Sequence, residues 1–433
     1  MRSNKQDSGT PLAISTRAQA PGRGVGRRPA SALERWLLGE MLRSLGHPSV
    51  ALVPWDGRAV TCPGGGQPQI RLHLRDPGAL VRLALDPEFQ FGELYSCGRI
   101  EVEGDLVALI ESINAAQGIR RGIRSRLRSL VHPPRSNLLR KSPGNIHHHY
   151  DIGNDFYRLW LDQQLLYTGA YFPTPSVGLE QAQVAKMDHV CRKLRLQPGE
   201  SVVEAGCGWG ALALHMAREY GVRVRAYNLS REQVAYARQR ARSEGLDGRV
   251  EFVEADYRAI QGQYDVFVSV GMLEHVGRRH YRDLAAVIDR CIGQQGRGLL
   301  HSIGADYSAQ LNPWIEHRIF PGAYPPTLGE MMEVLEPAGL SVLDVENLRL
   351  HYAKTLEHWL ARYEAATDPV EAMFGPVFVR AWRLYLAGSL AAFRCGKLQL
   401  FQVLFQRHGD THIPWTRAYL YAAGDEPWKT ATS

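Results

Sequence analysis

Cysteine is scarce, and the six present in 433 residues (Cys62, Cys97, Cys191, Cys207, Cys291 and Cys395) form no C-x-x-C pair and no zinc-like spacing. That excludes a disulfide framework and gives no support to a structural metal, so a reducing compartment is expected. Long apolar runs are missing too. Nowhere do 18 apolar residues follow one another, and no membrane-spanning helix is expected. The first residues carry Arg and Lys without the apolar stretch of a secretory signal, so the expected location is cytoplasmic. Acidic residues are absent from 120–141, which holds Arg120, Arg121, Arg124, Arg126, Arg128, Arg135, Arg140 and Lys141 and accounts for the whole net charge of +7. Such a run reads either as a solvated linker or as a contact for anionic phospholipid. No zinc finger, RNA-binding aromatic signature or basic helix ahead of heptads accompanies it, so no nucleic acid is expected as a partner.

What is present is ordinary globular composition, 45% hydrophobic and 22% charged, long enough for two or three domains with full cores. Residues 1–30 are polar, basic and rich in Gly, Pro and Ser, and read as a disordered tail. From Ala32 a helical pattern (Leu33, Trp36, Leu37, Met41, Leu45) leads into alternating segments such as Gln69–Leu74 and a helix near 105–115, a small α+β domain over 31–118. A basic, Pro-containing linker over 119–143 joins it to the remainder, 144–433. There, strand-like runs at 201–205, 222–228, 250–255, 264–270 and 298–303 alternate with helical patterns, which calls for a doubly wound parallel sheet. Segment 397–406 has the alternation of a late strand and is expected as an antiparallel edge. Residues 304–395 are mostly helical in pattern, rich in aromatics, and expected to cover the sheet's ligand edge.

The stretch Ser-Val-Val-Glu-Ala-Gly-Cys-Gly-Trp-Gly over 201–210 is a strand, a turn with glycines at Gly206, Gly208 and Gly210, and the start of a helix. Its spacing is Gly-x-Gly-x-Gly, one residue tighter than the dinucleotide fingerprint that sets a helix dipole against a pyrophosphate. The tighter turn suits a ligand without phosphate, and S-adenosylmethionine is the candidate; alone, the turn serves equally as an ordinary βα connection. Ligands of open α/β sheets lie beyond the carboxyl ends of the strands. Asn228 and Gln233 there can bond ribose hydroxyls or the methionyl end, and Asp256 with Tyr257 can hold the adenine. The plainer alternatives are a helix N-cap at Ser230 and a turn residue at Asp256. Glu274 and His301 end neighbouring strands, and such a pair can tune a proton acceptor or hold a small anion; the alternative is a cap for a helix starting near Val276 and a core histidine. The run His147-His148-His149 gives little support to a metal, since consecutive imidazoles do not converge on one ion.

The run His149-Tyr-Asp-Ile-Gly-Asn-Asp-Phe-Tyr157, with Leu166-Tyr-Thr-Gly-Ala-Tyr-Phe172, Glu204–Gly210 and Ser269-Val-Gly-Met-Leu-Glu-His-Val-Gly277, resembles the cyclopropane fatty acid synthases. The likeness continues through Leu300–Gly304, Ile319–Gly322, Tyr352 and Leu398–Phe405, and more loosely into the N-terminal domain around Gly92-Glu-Leu-Tyr and Val102-Glu-Gly-Asp. It implies a class I methyltransferase fold, Rossmann-like, with a helical insertion for the lipid. It implies an enzyme that uses S-adenosylmethionine to methylenate a cis double bond in the acyl chain of an unsaturated phospholipid. It also implies peripheral association with the inner face of the membrane, and a homodimer. Tyr167, Thr168, Gly206, Gly208, Gly210, Asn228, Leu229, Gln233, Asp256 and Tyr257 would line the cofactor site. Glu274, His301, Tyr352 and the backbone of Ile303 match the family's ligands to a bicarbonate that serves as base. Where the family usually has cysteine beside that anion this chain has Gly169, which implies weakened or re-formed bicarbonate binding. That departure keeps a lipid C-methyltransferase with a methyl- or methylene-branched product as an alternative, and an inert lipid-binding membrane-surface protein as a third reading.

Overall fold

The computed structural model describes residues 28–45, 49–62, 67–117, 152–409 and 413–421. Most of the expected tail, the basic run of 120–141 and His147–His149 lie outside the described residues. The chain divides into two compact units: Met1–Trp160 with Gln310–Ala323 and Leu356–Lys397, and Leu161–Ala309 with Tyr324–Thr355 and Leu398–Ser433.

In the first unit, strands β1 (Val50–Val53), β2 (Ile70–Leu74) and β3 (Ile100–Glu103) form a sheet in that order. β1 and β2 run parallel, and β2 and β3 antiparallel. The opening helix Ala32–Ser44 starts at a capping box between Ser31 and Glu34, and Asp76 and Asp86 cap the helices Pro77–Leu85 and Pro87–Ser96; each such cap replaces an orphan N–H bond at the helix start. Two parts of the aromatic-rich block, Gln310–Ala323 and Leu356–Lys397, belong to this unit, and aromatics of the second are packed core. Phe156 meets Trp382 at 5.0 Å, Phe378 at 5.4 Å and Trp160 at 5.8 Å between ring centroids, all edge to face, and Trp160 meets Trp359 at 5.6 Å. Edge-to-face pairs of this kind contribute about 0.5–1.5 kcal/mol each beyond area burial.

The second unit holds a seven-stranded sheet: β4 (Ser201–Ala205), β5 (Arg223–Asn228), β6 (Val250–Glu254), β7 (Tyr264–Val270), β8 (Ile292–Gly304), β9 (Leu340–Asn347) and β10 (Gln399–Arg407), in the order β6-β5-β4-β7-β8-β10-β9. β4 to β8 are parallel; α-helices cross over from β4 to β5, β5 to β6 and β7 to β8, and a short 3-10 turn, Tyr257–Ala259, lies between β6 and β7. Val202 and Val203 show the double winding. Val202 packs with residues of the helices Leu179–Leu194 and Ala211–Glu219, whereas Val203 packs with residues of Tyr281–Cys291 and Leu328–Leu335.

Two expectations need correction. The late strand is antiparallel, but it lies between β8 and β9 and is not the edge. The edge is β9, which falls inside the block expected to be helical. β9 reads Leu-Ser-Val-Leu-Asp-Val-Glu-Asn, and its acids face buried cations from elsewhere in the chain, so their polarity did not mean solvent.

Candidate active site

The glycine turn follows β4 as the pattern required. Gly206, Gly208 and Gly210 all have positive φ (86°, 53° and 84°). At Gly210 a Cβ would come within 2.6 Å of the Phe252 ring, whereas at Gly208 it would meet nothing within 4 Å. The turn is therefore tight against the sheet at one end and open at the other, which is the cradle a ligand needs. Asn228, at the end of β5, donates from Nδ2 to the Gly208 carbonyl (3.2 Å) and to Gln233 Oε1 (2.7 Å), and its Oδ1 accepts from the Leu229 N–H (2.8 Å). Asn228, Leu229 and Gln233 thus gather at the turn. The plain reading of Ser230 as an N-cap holds, since its hydroxyl accepts from the Gln233 N–H. Asp256 accepts from the Arg258 N–H (2.9 Å), and the Arg258 guanidinium lies 5.1 Å from the centroid of the Tyr257 ring. Arg258 is a fixing residue that sequence reasoning missed.

Tyr167 and Thr168 lie on a strap that the helix Leu179–Leu194 holds from beneath. Gln183 donates to the carbonyls of Leu166 (3.3 Å) and Thr168 (2.9 Å), and Lys186 Nζ donates to the Thr168 hydroxyl at 2.8 Å. The Thr168 methyl covers the end of β7: a Cβ at Gly271 would lie 2.8 Å from it. Beyond it the Ala170 N–H donates to Thr355 Oγ1 (2.9 Å) and the Phe172 N–H to His351 Nδ1 (3.0 Å), while the Tyr171 ring stacks between His189 (4.2 Å) and His351 (4.8 Å). Burial pulls the Lys186 ammonium down to about 8 against the pull of Asp162 and Glu204. Burial pushes the Glu204 carboxyl up to about 8, with Lys186 opposing.

Gly169, Tyr352 and Ile303 gather around Leu400. Gly169 packs so closely that a Cβ there would lie 2.9 Å from Leu400 Cδ2 and 3.1 Å from Tyr352 Cγ. Leu400 pairs with Ile303 across β10 and β8. The Ile303 N–H donates to Glu274 Oε1 (3.2 Å), and the Ser302 hydroxyl donates to Glu274 Oε2 (2.8 Å). Glu274 sits inside the helix Leu273–Val276 and does not cap it. Burial raises its pKa, and the Ser302 and Ile303 bonds only partly offset that. His301 is buried, with Nδ1 3.0 Å from Gln402 Nε2 and with Nε2 lacking any protein partner. Burial, with the charges of Lys186, Lys193 and His189, holds His301 well below its usual pKa. An orphaned buried ring nitrogen is the kind of group a small oxyanion can satisfy. The Ile303 N–H and the face of Gly169 fit one less well, since the first is taken by Glu274 and the second is filled by Tyr352 and Leu400. Among the described residues no group of His, Cys, Asp and Glu is arranged to hold a metal.

Gln183, Lys186, Ser302 and Gln402 were all missed by sequence reasoning. Only Gln402 left a trace, as a polar residue amid the apolar Leu-Phe-Gln-Val-Leu-Phe of a buried strand.

A family model described as mycolic acid cyclopropane synthetase matches residues 138–403, and a domain of unknown function matches 37–119. A probable fatty acid methyltransferase of Pseudomonas putida is 37% identical over 394 residues, covering 88% of this chain and 98% of the relative. A cyclopropane-fatty-acyl-phospholipid synthase of Escherichia coli is 39% identical over 260 residues, 60% of this chain and 66% of the relative. The crystal structure of mycolic acid cyclopropane synthase CmaA1 complexed with SAH and CTAB superimposes with a TM-score of 0.59 at 30% identity, over 61% of this chain and 98% of that one.

Proposed function

Because the chain belongs to the mycolic acid cyclopropane synthetase family and is an S-adenosylmethionine-dependent lipid methyltransferase, we propose that it converts the cis double bond of an unsaturated phospholipid acyl chain into a cyclopropane. Membership of that family replaces the inert lipid-binding alternative. What supports the proposal is the chain of contacts from Glu274 through Ile303 and Leu400 to Gly169 and Tyr352 near the carboxyl ends of β7 and β8, with the buried, unpartnered Nε2 of His301 two residues before Ile303 on the same strand.

S-adenosylmethionine supplies an electrophilic sulfonium methyl group. The open face at Gly208, with Asn228, Leu229 and Gln233 on one flank, Asp256 and Tyr257 on another and Tyr167 and Thr168 above, is the place for it. An alkene is a poor nucleophile, so these residues contribute chiefly by fixing the methyl group in line with the π-bond and by excluding water. Ring closure then needs a proton removed from the transferred carbon. A bicarbonate held by His301 Nε2, Glu274 and Tyr352 would supply that base. Burial raises the Glu274 pKa, which lessens the repulsion that a bound anion would meet there.

The test is incubation of the full-length protein with monounsaturated phospholipid vesicles and methyl-labelled S-adenosylmethionine, followed by mass spectrometry. A gain of one methylene that survives mild hydrogenation supports the ring. Gly169 and the methyltransferase relative favour a second reading, in which a hydride shift precedes proton loss and leaves a methyl- or methylene-branched chain. A labelled product that takes up hydrogen establishes that reading and removes the first. We also propose that the protein acts from the membrane surface, as a homodimer.

A further inference from the structure

His301 on β8 pairs with Gln402 on β10, and Gln402 pairs with Glu346 on β9. Directly paired residues of neighbouring strands project from the same face of a sheet. The three side chains therefore form one polar row, which belongs to no helix and is set by strand register alone. His301 is 2% exposed and Gln402 0%, so protein groups must settle what the imidazole does. Gln402 Nε2 faces His301 Nδ1 at 3.0 Å. An amide nitrogen has N–H groups to give and no lone pair to offer, so Nδ1 is the acceptor. A neutral imidazole that accepts at Nδ1 carries its proton at Nε2. In this orientation Gln402 Oε1 and His301 Nε2 are the two buried atoms of the pair left without a partner. Burial and the cations Lys186 and Lys193 keep the ring neutral.

We infer that Gln402 is a positioning residue: it fixes His301 as the Nε2–H tautomer, so that β8 presents a buried, otherwise unpartnered N–H donor to an oxyanion at the Glu274 end of the site. The oxyanion half rests on the anion-site reading above; the tautomer half does not. Without Gln402 the two tautomers differ little in energy, and in the wrong one the ring would offer a lone pair to an anion.

Two-bond 1H–15N spectra of the full-length protein labelled with 15N-histidine read the tautomer directly, with the His301 signals identified by their loss in His301→Gln. The expected result is a protonated Nε2 and an unprotonated Nδ1 in the wild type, a mixture of tautomers in Gln402→Met, and protonated Nδ1 in Gln402→Glu, whose carboxylate can only accept. A wild-type spectrum with the proton on Nδ1 overturns the inference even if neither variant folds, as does an unchanged Nε2–H tautomer in Gln402→Met. Sodium bicarbonate added to the wild type should shift the Nε2 signal, and Gln402→Glu should abolish that shift and lower kcat on the order of a hundredfold with KM for S-adenosylmethionine unchanged. An Nε2–H tautomer that ignores bicarbonate leaves Gln402 in its role and removes the anion site.

Discussion

Gly169 stands where the resemblance would put cysteine, and its missing side chain has not left a hole. Tyr352 and Leu400 fill the space, so adding even one carbon is overpacking. Gly169→Ala should lower stability by about 1–3 kcal/mol in a denaturant titration, and Gly169→Cys should displace Tyr352 and reduce turnover; a gain of activity in Gly169→Cys would mean that Tyr352 and Leu400 make room and that the thiol strengthens an anion site at this place. Lys186 offers a second prediction. Its ammonium is fully enclosed and spends a charge-assisted bond on the Thr168 hydroxyl. Lys186→Met, which keeps the length without the donor, should weaken SAH binding by calorimetry on the order of tenfold, and Lys186→Gln should recover part of it. Equal affinities for Met and wild type would reduce Lys186 to a packing residue. The sequence displayed Glu274 and His301 because they stand near the carboxyl ends of β7 and β8. It hid Lys186 and Gln183, because the strap that buries them comes from a stretch without helix or strand, with no period of its own.

At the scale of elements, the parallel strands were legible because β-branched runs such as Val202-Val203 and Val266–Val270 end at glycine or polar turns. β9 was not. Its Asp344 and Glu346 break the apolar pattern, yet Glu346 accepts from His189 Nε2 (2.7 Å) and Lys193 Nζ (2.6 Å) across about 150 residues of chain, a pairing no local window contains. Burial alone would raise the Glu346 pKa, but those two bonds outweigh it and hold it at about 2, below the ordinary 4.5. A depressed carboxyl stabilises the fold fully above its unfolded value and loses that contribution as pH falls through the folded one. The stability due to Glu346 is therefore present above about pH 4.5 and fades towards pH 2. Glu346→Gln should cost about 3 kcal/mol at neutral pH, and the difference from wild type in urea midpoint should shrink as pH falls through that window. A pH-independent difference would mean that the carboxylate's charge is irrelevant. Gly210→Ala, forced to hold φ near 84° against the Phe252 ring, should unfold the turn's helix locally and abolish SAH binding while the first unit keeps its structure by circular dichroism.

For the whole molecule, composition and alternation were enough to foresee an α/β domain and a smaller α+β companion. They did not foresee that Gln310–Ala323 and Leu356–Lys397 would pack in the first unit, since a segment's aromatic richness says that it is buried but not against what. The net charge of +7 bears on the proposed membrane contact. Vesicles rich in phosphatidylglycerol should retain the protein at low salt and release it as ionic strength rises. Retention on purely zwitterionic vesicles, indifferent to salt, would remove the electrostatic part of that proposal.

The insertion of β10 between β8 and β9 has a consequence for biosynthesis. Among the described strands it is the last in chain order, yet it occupies an inner place and carries Gln402, which faces His301. A nascent chain halted before Arg407 would already own its glycine turn, but two raw strand edges would gape where one ribbon belongs, inviting mispairing with other chains. Competence for chemistry thus arrives only once Arg407 has been made, as a by-product of this ribbon sliding home.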